Sequence, residues 1–548
     1  MKKQILIFAF TLTAALINGQ EKLDEALSAS LDRLIEARYQ PNGPGATALV
    51  ARKGVVIYKK SFGMADLELN VKMETEHVFR IGSLTKQFTA VAILQLVEAG
   101  KIKLDDDITR FIPDYPVAGK GITVENLLTH TSGIMDYTAM AGYEAGIAEH
   151  ISPVDMIARF KNEPLRFAPG SRYSYSNSNY FLLGHIISQV SGKTYEKYLE
   201  DHIFVPAGMT HSFYAAENLI IPDRASGYSS DNGQTVNAPY ISMTQPYEAG
   251  SVLSTVGDMF KWHQALLSNK LISQGSLKKA FSAFKLTNGD YANYGYGWKT
   301  GGIYDMSSVW HGGAITGFGT MQVYLPQEDI LVLVFSNCDC NPPKDLAQVM
   351  AATVTGRIRE YTPVQISSKS LREYEGVFEN AKGQLRINTV IDNQLLSRVG
   401  RGRNVALKPF ETDRFFVDQM QGIDFTRNKK GKITSMVTGH ITGNETWTRT
   451  SKPFPPENGI DVDPRVLQTY VGKYEVSPRF VFSVAYENGR LFLLAPQQEK
   501  VEMFADTSNR FFLKVNDAQF EFVRKVSGEV EKAILHQGGR TADAAKVE

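Results

Sequence analysis

The back third of this 548-residue chain is written twice. Leu371-x-x-Tyr374-x-Gly376-x-Phe378 returns as Leu467-x-x-Tyr470-x-Gly472-x-Tyr474, 96 residues on. Asp413-Arg414-Phe415-Phe416-Val417 is answered at the same spacing by Asn509-Arg510-Phe511-Phe512-Leu513. Asp424-Phe425-x-Arg427 with Gly431 is answered 97 residues on by Glu521-Phe522-x-Arg524 with Gly528. Ordered matches at one spacing mean a duplicated structural unit. Helical periodicity is absent here, and short alternating runs meet at turns such as Asn488-Gly489, so each copy reads as a small all-β domain. The first copy is expected at 362–450 and the second at 464–548. The proline-rich segment 451–463, which holds Lys452–Gly459 (KPFPPENG), joins them.

Ahead of the repeat, residues 20–361 have a different texture and are expected to form one larger domain. Leu23, Leu27, Leu31 and Leu34 recur at helical spacing. ATALVAR and VVIYKKSF, broken at Lys53-Gly54, read as a hairpin. Residues from about 84 to 200 are mostly helical in pattern. Strands return at about 309–335, where Ile330–Phe335 (ILVLVF) is continuously apolar, and a helix follows at about 343–355 with Leu346, Val349, Met350 and Val354 on one face. The order predicts an α/β (α+β) domain: an antiparallel sheet flanked by helices, with an all-helical insertion.

Residues 1–19 read as a signal peptide. Met1-Lys2-Lys3 is basic, Ile5–Ile17 is an apolar run of 13 residues, and Asn18-Gly19-Gln20 is small and polar. The run is too short to span a membrane, and no later stretch is long and apolar enough. The expectation is an exported, soluble protein, periplasmic or extracellular. Composition fits: 43% of residues are hydrophobic, and 59 basic against 58 acidic residues leave no basic surface for nucleic acid. The two cysteines, Cys338 and Cys340, are expected to stay unpaired, because a bridge across one residue would be strained.

Three short motifs carry chemistry. Ser83-Leu84-Thr85-Lys86 opens a long helical run, so Ser83 and Lys86 share a face. A serine hydroxyl is a poor nucleophile until something removes its proton, and a desolvated lysine can do so. Ser276/Lys279 and Ser282/Lys285 show the same spacing in a segment that reads as solvated surface. Tyr175-Ser176-Asn177 follows the turn at Pro169-Gly170; a tyrosine can act as a base when cations flank it. Tyr291-Ala292-Asn293 repeats that pattern. Trp310-His311-Gly312-Gly313-Ala314 is a glycine-containing strand that a ligand backbone could approach closely.

In the order Ser-x-x-Lys, Tyr-x-Asn, His-x-Gly, these motifs resemble the serine hydrolases with the class C β-lactamase and D,D-peptidase fold, the β-lactamase-related or penicillin-binding-protein-like family. The resemblance covers about 24–360 and extends to RIGSLTKQFTAVAILQLVEAGKIKLDDDI, ITVENLLTHTSGI, FAPGSRYSYSNSNYFLLGHII, VPAGMTHSF, AGSVLSTVGDM and WHGGAITGFG. It implies that Ser83 is acylated, that Lys86 and Tyr175 form the proton-transfer pair, and that Asn177 orients substrate and Lys86. It implies an oxyanion hole from the N–H groups of Ser83 and Ala314, with Gly313 and His311 lining the substrate side. His311 stands where the β-lactamases carry the lysine of Lys-Thr-Gly, which weakens the case for β-lactam hydrolysis. The resemblance also makes the two C-terminal domains barrel-like. Neither a cofactor nor a metal is expected, since no His/Asp/Glu cluster has ligand spacing.

The reading that follows is an exported serine hydrolase acting on small peptides with a D-residue or on esters. The alternatives are a true β-lactamase and a catalytically silent module that binds cell-wall peptides. The second is disfavoured because Ser83, Lys86 and Tyr175 are all retained. The residues leave the substrate and the oligomeric state open.

Overall fold

The computed structural model describes residues 25–547 apart from 117–120, 141, 215–217, 232, 358–361, 403, 419–420, 441–442, 456–457, 478–479, 496–499, 517, 526 and 538–539. The expected signal peptide therefore lies outside the described residues. The chain divides into two compact units, with the division near residue 358.

The first unit is built on a six-stranded antiparallel sheet. Its strands are β1 (Ala46–Arg52), β2 (Val55–Phe62), β3 (Lys299–Ile303), β4 (Met306–Ile315), β5 (Phe318–Leu325) and β6 (Ile330–Ser336). Across the sheet they run β3-β4-β5-β6-β1-β2. The β1–β2 turn is made by Lys53 and Gly54, both at positive φ (51° and 73°), the geometry that matches strand twist in a two-residue hairpin. β5 and β6 are buried along their whole length. β6 is continuously apolar from Ile330 to Phe335, as suits a strand covered on both faces. The N-terminal helix over 25–36 buries Leu31 and Ile35, while Leu27 and Leu34 are half-buried. A late helix, Lys344–Val354, starts after Pro343 and buries Leu346, Val349, Met350 and Val354.

The helical block lies between β2 and β3. Its centre is α1 (Thr85–Glu98), whose residues are buried from Thr85 to Leu94. A helix buried on every side belongs inside the core rather than on the surface, and this one carries Thr85, Lys86, Gln87 and Thr89 in with it. Beside it runs α2 (Asn177–Ser191), stopped by Gly192 at φ 70°. A helix with a left-handed C-terminal residue takes glycine there because no Cβ is strained.

The cysteines correct the sequence reading. Cys338 and Cys340 are joined in a disulfide, with Cα atoms 5.2 Å apart, inside the usual range for a bridge. The chain leaves β6 and curls tightly enough that the Cys340 amide donates to Cys338 Sγ (3.3 Å). Closing so short a loop restrains the unfolded chain little, so the large apolar core still carries most of the stability.

The second unit holds two closed eight-stranded antiparallel barrels. The first runs from Gly376–Glu379 to Gly443–Arg449, and these end strands pair to close it. The second runs from Gly472–Ser477 to Arg540–Lys546 and closes the same way. The repeated residues are their interiors. Tyr374 packs on Phe415 and Phe425, with ring centres 4.7 and 4.8 Å away. Tyr470 packs on Phe511 and Phe522 at 5.5 and 4.3 Å. Sequence identity between the copies is concentrated where the barrel must be filled.

Because the sheet, both covering helices and the helical block fall within one contact unit, residues 25–357 expressed alone should be soluble and unfold in one cooperative transition. Circular dichroism melting is the check, and an insoluble or gradually melting fragment would refute it.

Candidate active site

Ser83 lies on a single 3-10 turn, Gly82–Leu84, that runs directly into α1. From Ile81 to Leu94 every residue is buried except Ser83. The turn thus lifts one hydroxyl out of an otherwise closed helix start. Gly82 has φ 52°, and a Cβ there would lie 3.0 Å from the Ala314 nitrogen. Gly313 is tighter still: a Cβ would sit 1.9 Å from the Ile81 carbonyl oxygen. The Thr320 hydroxyl on β5 donates to that same carbonyl at 2.8 Å. These glycines let the turn that carries Ser83 lie flat against β4, with Gly82 directly beside Ala314.

Lys86 is fully buried. Its Nζ is 3.1 Å from Ser83 Oγ, 2.9 Å from Asn177 Oδ1 and 2.7 Å from the Ala249 carbonyl oxygen. Burial pulls its pKa down to about 7; the Lys299 charge adds to this and Asp136 opposes it. As a neutral amine Lys86 has two N–H donors and one lone pair. The donors match the two carbonyl oxygens, which leaves the lone pair for the Ser83 O–H. Asn177 stays in place because the whole polar run at the start of α2 is tied down. The Ser176 amide donates to His130 Nδ1 (3.3 Å), and Asn177 Nδ2 donates to Asp136 (3.3 Å). The Ser178 hydroxyl donates to the Met135 carbonyl (2.6 Å), and the Ser132 hydroxyl donates to Asn179 Oδ1 (2.6 Å).

The Tyr175 ring centre is 4.9 Å from Lys86 Nζ, and the phenol shares a hydrogen bond with Ser83. Burial raises its pKa far above the ordinary tyrosine value, so it is a phenol and not a phenolate. The imidazole of His130 packs against it in a tilted arrangement, 4.3 Å between ring centres and 39° between planes.

His311 is brought into this group, its ring centre 6.2 Å from that of Tyr175. It is buried, and its Nδ1–H donates to the Gly312 carbonyl (2.7 Å), which leaves Nε2 to accept from the Tyr294 hydroxyl (2.9 Å). Desolvation, then the charges of Lys299 and Lys86, hold its pKa well below 6.5. The structure makes it a neutral spacer, because its surroundings are apolar and cationic.

The look-alike motifs are dispersed. The Ser276 hydroxyl donates to Glu98 (2.6 Å), and Ser282 donates to the Lys278 carbonyl (2.6 Å). Tyr291 is 62% exposed on a two-residue strand. The sequence reading missed Asp136 beside Asn177, and Lys299, whose Nζ is 5.7 Å from the Tyr175 ring centre and 4.9 Å from that of Trp310. The signal for Lys299 is literal: Lys299-Thr300-Gly301 spells Lys-Thr-Gly. It lies on β3, paired with Trp310, one strand away from His311. Among the described residues, no group of three or more His, Cys, Asp or Glu side chains is placed to hold a metal, and no helix is long and apolar enough to cross a membrane.

Known proteins with this arrangement are recognisable. Residues 31–355 match the family model described as Beta-lactamase. Residues 457–546 match one described as a domain of unknown function, DUF3471. Penicillin-binding protein 4* of Bacillus subtilis (strain 168) is 29% identical over 417 residues, covering 71% of this chain and 91% of that one. The octameric penicillin-binding protein homologue from Pyrococcus abyssi superposes with a TM-score of 0.54 at 25% identity, over 77% of this chain and 99% of its own. A D-stereospecific amidohydrolase from Streptomyces sp. does so with 0.53 at 26% identity, over 60% and 99%.

Gly313→Ala should separate the β4 contact from simple packing. With Ile81 in the way, the turn or the strand must move, and acylation of Ser83 should fall by about tenfold or more. Gly312→Ala, whose Cβ would meet Met321 Sδ at 3.4 Å and the Thr320 carbonyl oxygen at 3.5 Å, both ordinary contacts, should acylate at close to the parent rate. Rates of labelling by a fluorophosphonate measure both, and equal rates for the two variants would remove the argument.

Proposed function

Because the chain belongs to the β-lactamase family, we propose that it is an exported serine hydrolase that forms an acyl-enzyme on Ser83, with peptides carrying a D-residue, or esters, as substrates. The observation that carries this is the Lys86 amine, buried, 3.1 Å from Ser83 Oγ and with its pKa drawn down to about 7. Export rests on the basic start and apolar run of residues 1–19.

In this reading neutral Lys86 takes the Ser83 proton as Oγ attacks the substrate carbonyl. The oxyanion is received by the N–H groups of Ser83 and Ala314, fixed donors that need no reorganisation. Collapse needs a proton on the leaving nitrogen or oxygen. Tyr175, a phenol, supplies it and is refilled from the Lys86 ammonium. Water then enters by the reverse path and frees Ser83. Asn177 holds Lys86 and the substrate amide, and His311 spaces β4 from Tyr294. The opposite charges of Asp136 and Lys299 beside this group favour a substrate that is itself charged at both ends, as a short peptide is, over a neutral ester. The name of the Streptomyces neighbour supports D-configured substrates.

Ser83→Ala should abolish acylation, read by intact mass after a covalent inhibitor. Tyr175→Phe keeps the ring and should lower kcat by about 10²–10⁴-fold; a variant retaining half the parent rate would make Tyr175 structural.

The pH profile follows from Lys86. The base form exists above its pKa, so kcat/KM should rise with pH through about 7 and level off. Below that point it should fall about tenfold per unit, since each unit protonates the amine tenfold further. His311, neutral throughout, should leave this limb unmoved when replaced by Asn. An acid limb that shifts in His311→Asn, or that is missing, would reject the assignment. Lys299→Met should lower kcat/KM for a carboxylated peptide by about tenfold relative to its uncarboxylated amide; equal losses on the two substrates would rule out a carboxylate contact.

A further inference from the structure

The two barrels provide a comparison in which one arginine is held alike and its partners are exchanged. In the first barrel Arg427 lies over the Tyr374 ring, 5.5 Å from its centre, and Nη1 donates to the Gly431 carbonyl (2.8 Å). In the second, Arg524 lies over Tyr470 at 5.0 Å and donates to the Gly528 carbonyl (2.7 Å). Arg427 is neutralised twice: Nε donates to both oxygens of Asp413 (2.8 and 2.9 Å) and Nη1 donates to Glu373 (2.7 Å). The repeat spacing puts Asn509 where Asp413 stands and Thr469 where Glu373 stands. Both acids are gone and the arginine remains.

A second cation remains too. Arg449 pairs with Phe378 where the first barrel closes, and Lys546 pairs with Tyr474 at the matching place. Arg524 Nη2 donates to the Thr469 hydroxyl (2.6 Å), and Lys546 Nζ donates to the Thr469 carbonyl (3.3 Å). The two positive groups thus converge on the residue that replaces Glu373. Among the described residues neither has an ion pair. Burial and the Arg524 charge together hold the Lys546 pKa below its ordinary value, as expected for neighbouring cations without a counter-ion. A cavity of about 880 Å³ opens at this point, lined by Thr469, Tyr470, Ser508, Asn509 and Arg524 among others. Its two carboxylates are already paired: Asp463 with Arg465, itself on the lining (2.7 Å), and Glu521 with Arg510 (2.8 Å).

We propose that this cavity of the second barrel is a binding site for the carboxylate group of a small molecule, seated on Arg524 where the first barrel uses its own Glu373 and Asp413, with Lys546, bonded to the Thr469 carbonyl and outside the lining itself, adding positive charge nearby. A guanidinium presents a planar fork of donors that suits a carboxylate, and the ammonium beside it adds a point charge. The Tyr470 ring and the hydroxyl of Ser508 offer the rest of the ligand one apolar and one polar wall. The site is independent of the catalytic reading, since it uses no residue of the first unit.

The test uses the full-length chain with benzoate as probe and inorganic phosphate as the second arm, followed by calorimetric titration. The parent should bind benzoate, and Arg524→Gln should weaken that component by about tenfold or more, the usual weight of a hydrogen bond to a charged group. The double variant Thr469→Glu/Asn509→Asp supplies the missing acids from within. It should lose the same component and melt at a higher temperature than the parent. Benzoate binding of equal strength and stoichiometry in all three proteins, or none in the parent, would overturn the proposal. Phosphate that binds more tightly than benzoate and is lost in the same variants would overturn the carboxylate assignment.

Discussion

One buried amine organises the first unit. Taking an ammonium out of water is expensive, and a protein that buries a lysine without a carboxylate partner drives it toward the neutral form. Lys86 meets two carbonyl oxygens and one hydroxyl and no acid at bonding distance. Each partner demands structure of its own. The Ala249 carbonyl comes from a turn that holds Tyr247 at φ 41°. The Glu248 carbonyl beside it accepts from Thr89 (2.8 Å), locking that turn to α1. Burial raises the Glu248 carboxyl pKa well above the ordinary range, which keeps it neutral. A charged acid there would stabilise the ammonium and undo the effect. Asn177 in turn needs the polar ladder from Ser132 to Asn179. The position of a single Nζ therefore explains why so many serines, threonines and asparagines lie inside a core.

Much of this was legible from residues alone. The hairpin at Lys53-Gly54, the apolar run Ile330–Phe335 and the amphipathic helix after Pro343 each declare themselves by a local rule, and local rules suffice where burial on a face is the only requirement. The duplicated β domains were visible because barrel interiors keep their aromatic residues. Ser83, Lys86, Tyr175 and Asn177 were legible because their spacing survives as short motifs.

What escaped the sequence is what depends on neighbours from distant segments. A cysteine pair two residues apart looks unbridgeable until the turn after β6 is known. Nothing local to His311 shows that Tyr294, 17 residues away, hydrogen-bonds its Nε2, or that burial and the nearby lysines keep the ring neutral. Lys299 carried a familiar triplet in plain sight. It was passed over because His311 already occupied the strand where a lysine is sought, and nothing local says that the neighbouring strand ends beside the same tyrosine ring.

Lys299 and Arg524 share a logic. In each case the positive charge is unremarkable by itself, and its meaning comes from what stands near it. β4 carries a neutral histidine where the resemblance to the β-lactamases leads one to expect a lysine, and β3 places a lysine near Tyr175. Such an arrangement keeps a cation near Tyr175. It also adds to the depression of the Lys86 pKa, since a second positive charge nearby disfavours the ammonium. In the second barrel the same accounting runs the other way, with two acids removed and two cations kept. Duplication leaves the fold satisfied by the shared aromatic interior, so the charged rim of one copy is released from holding the barrel together and can turn outward to a ligand.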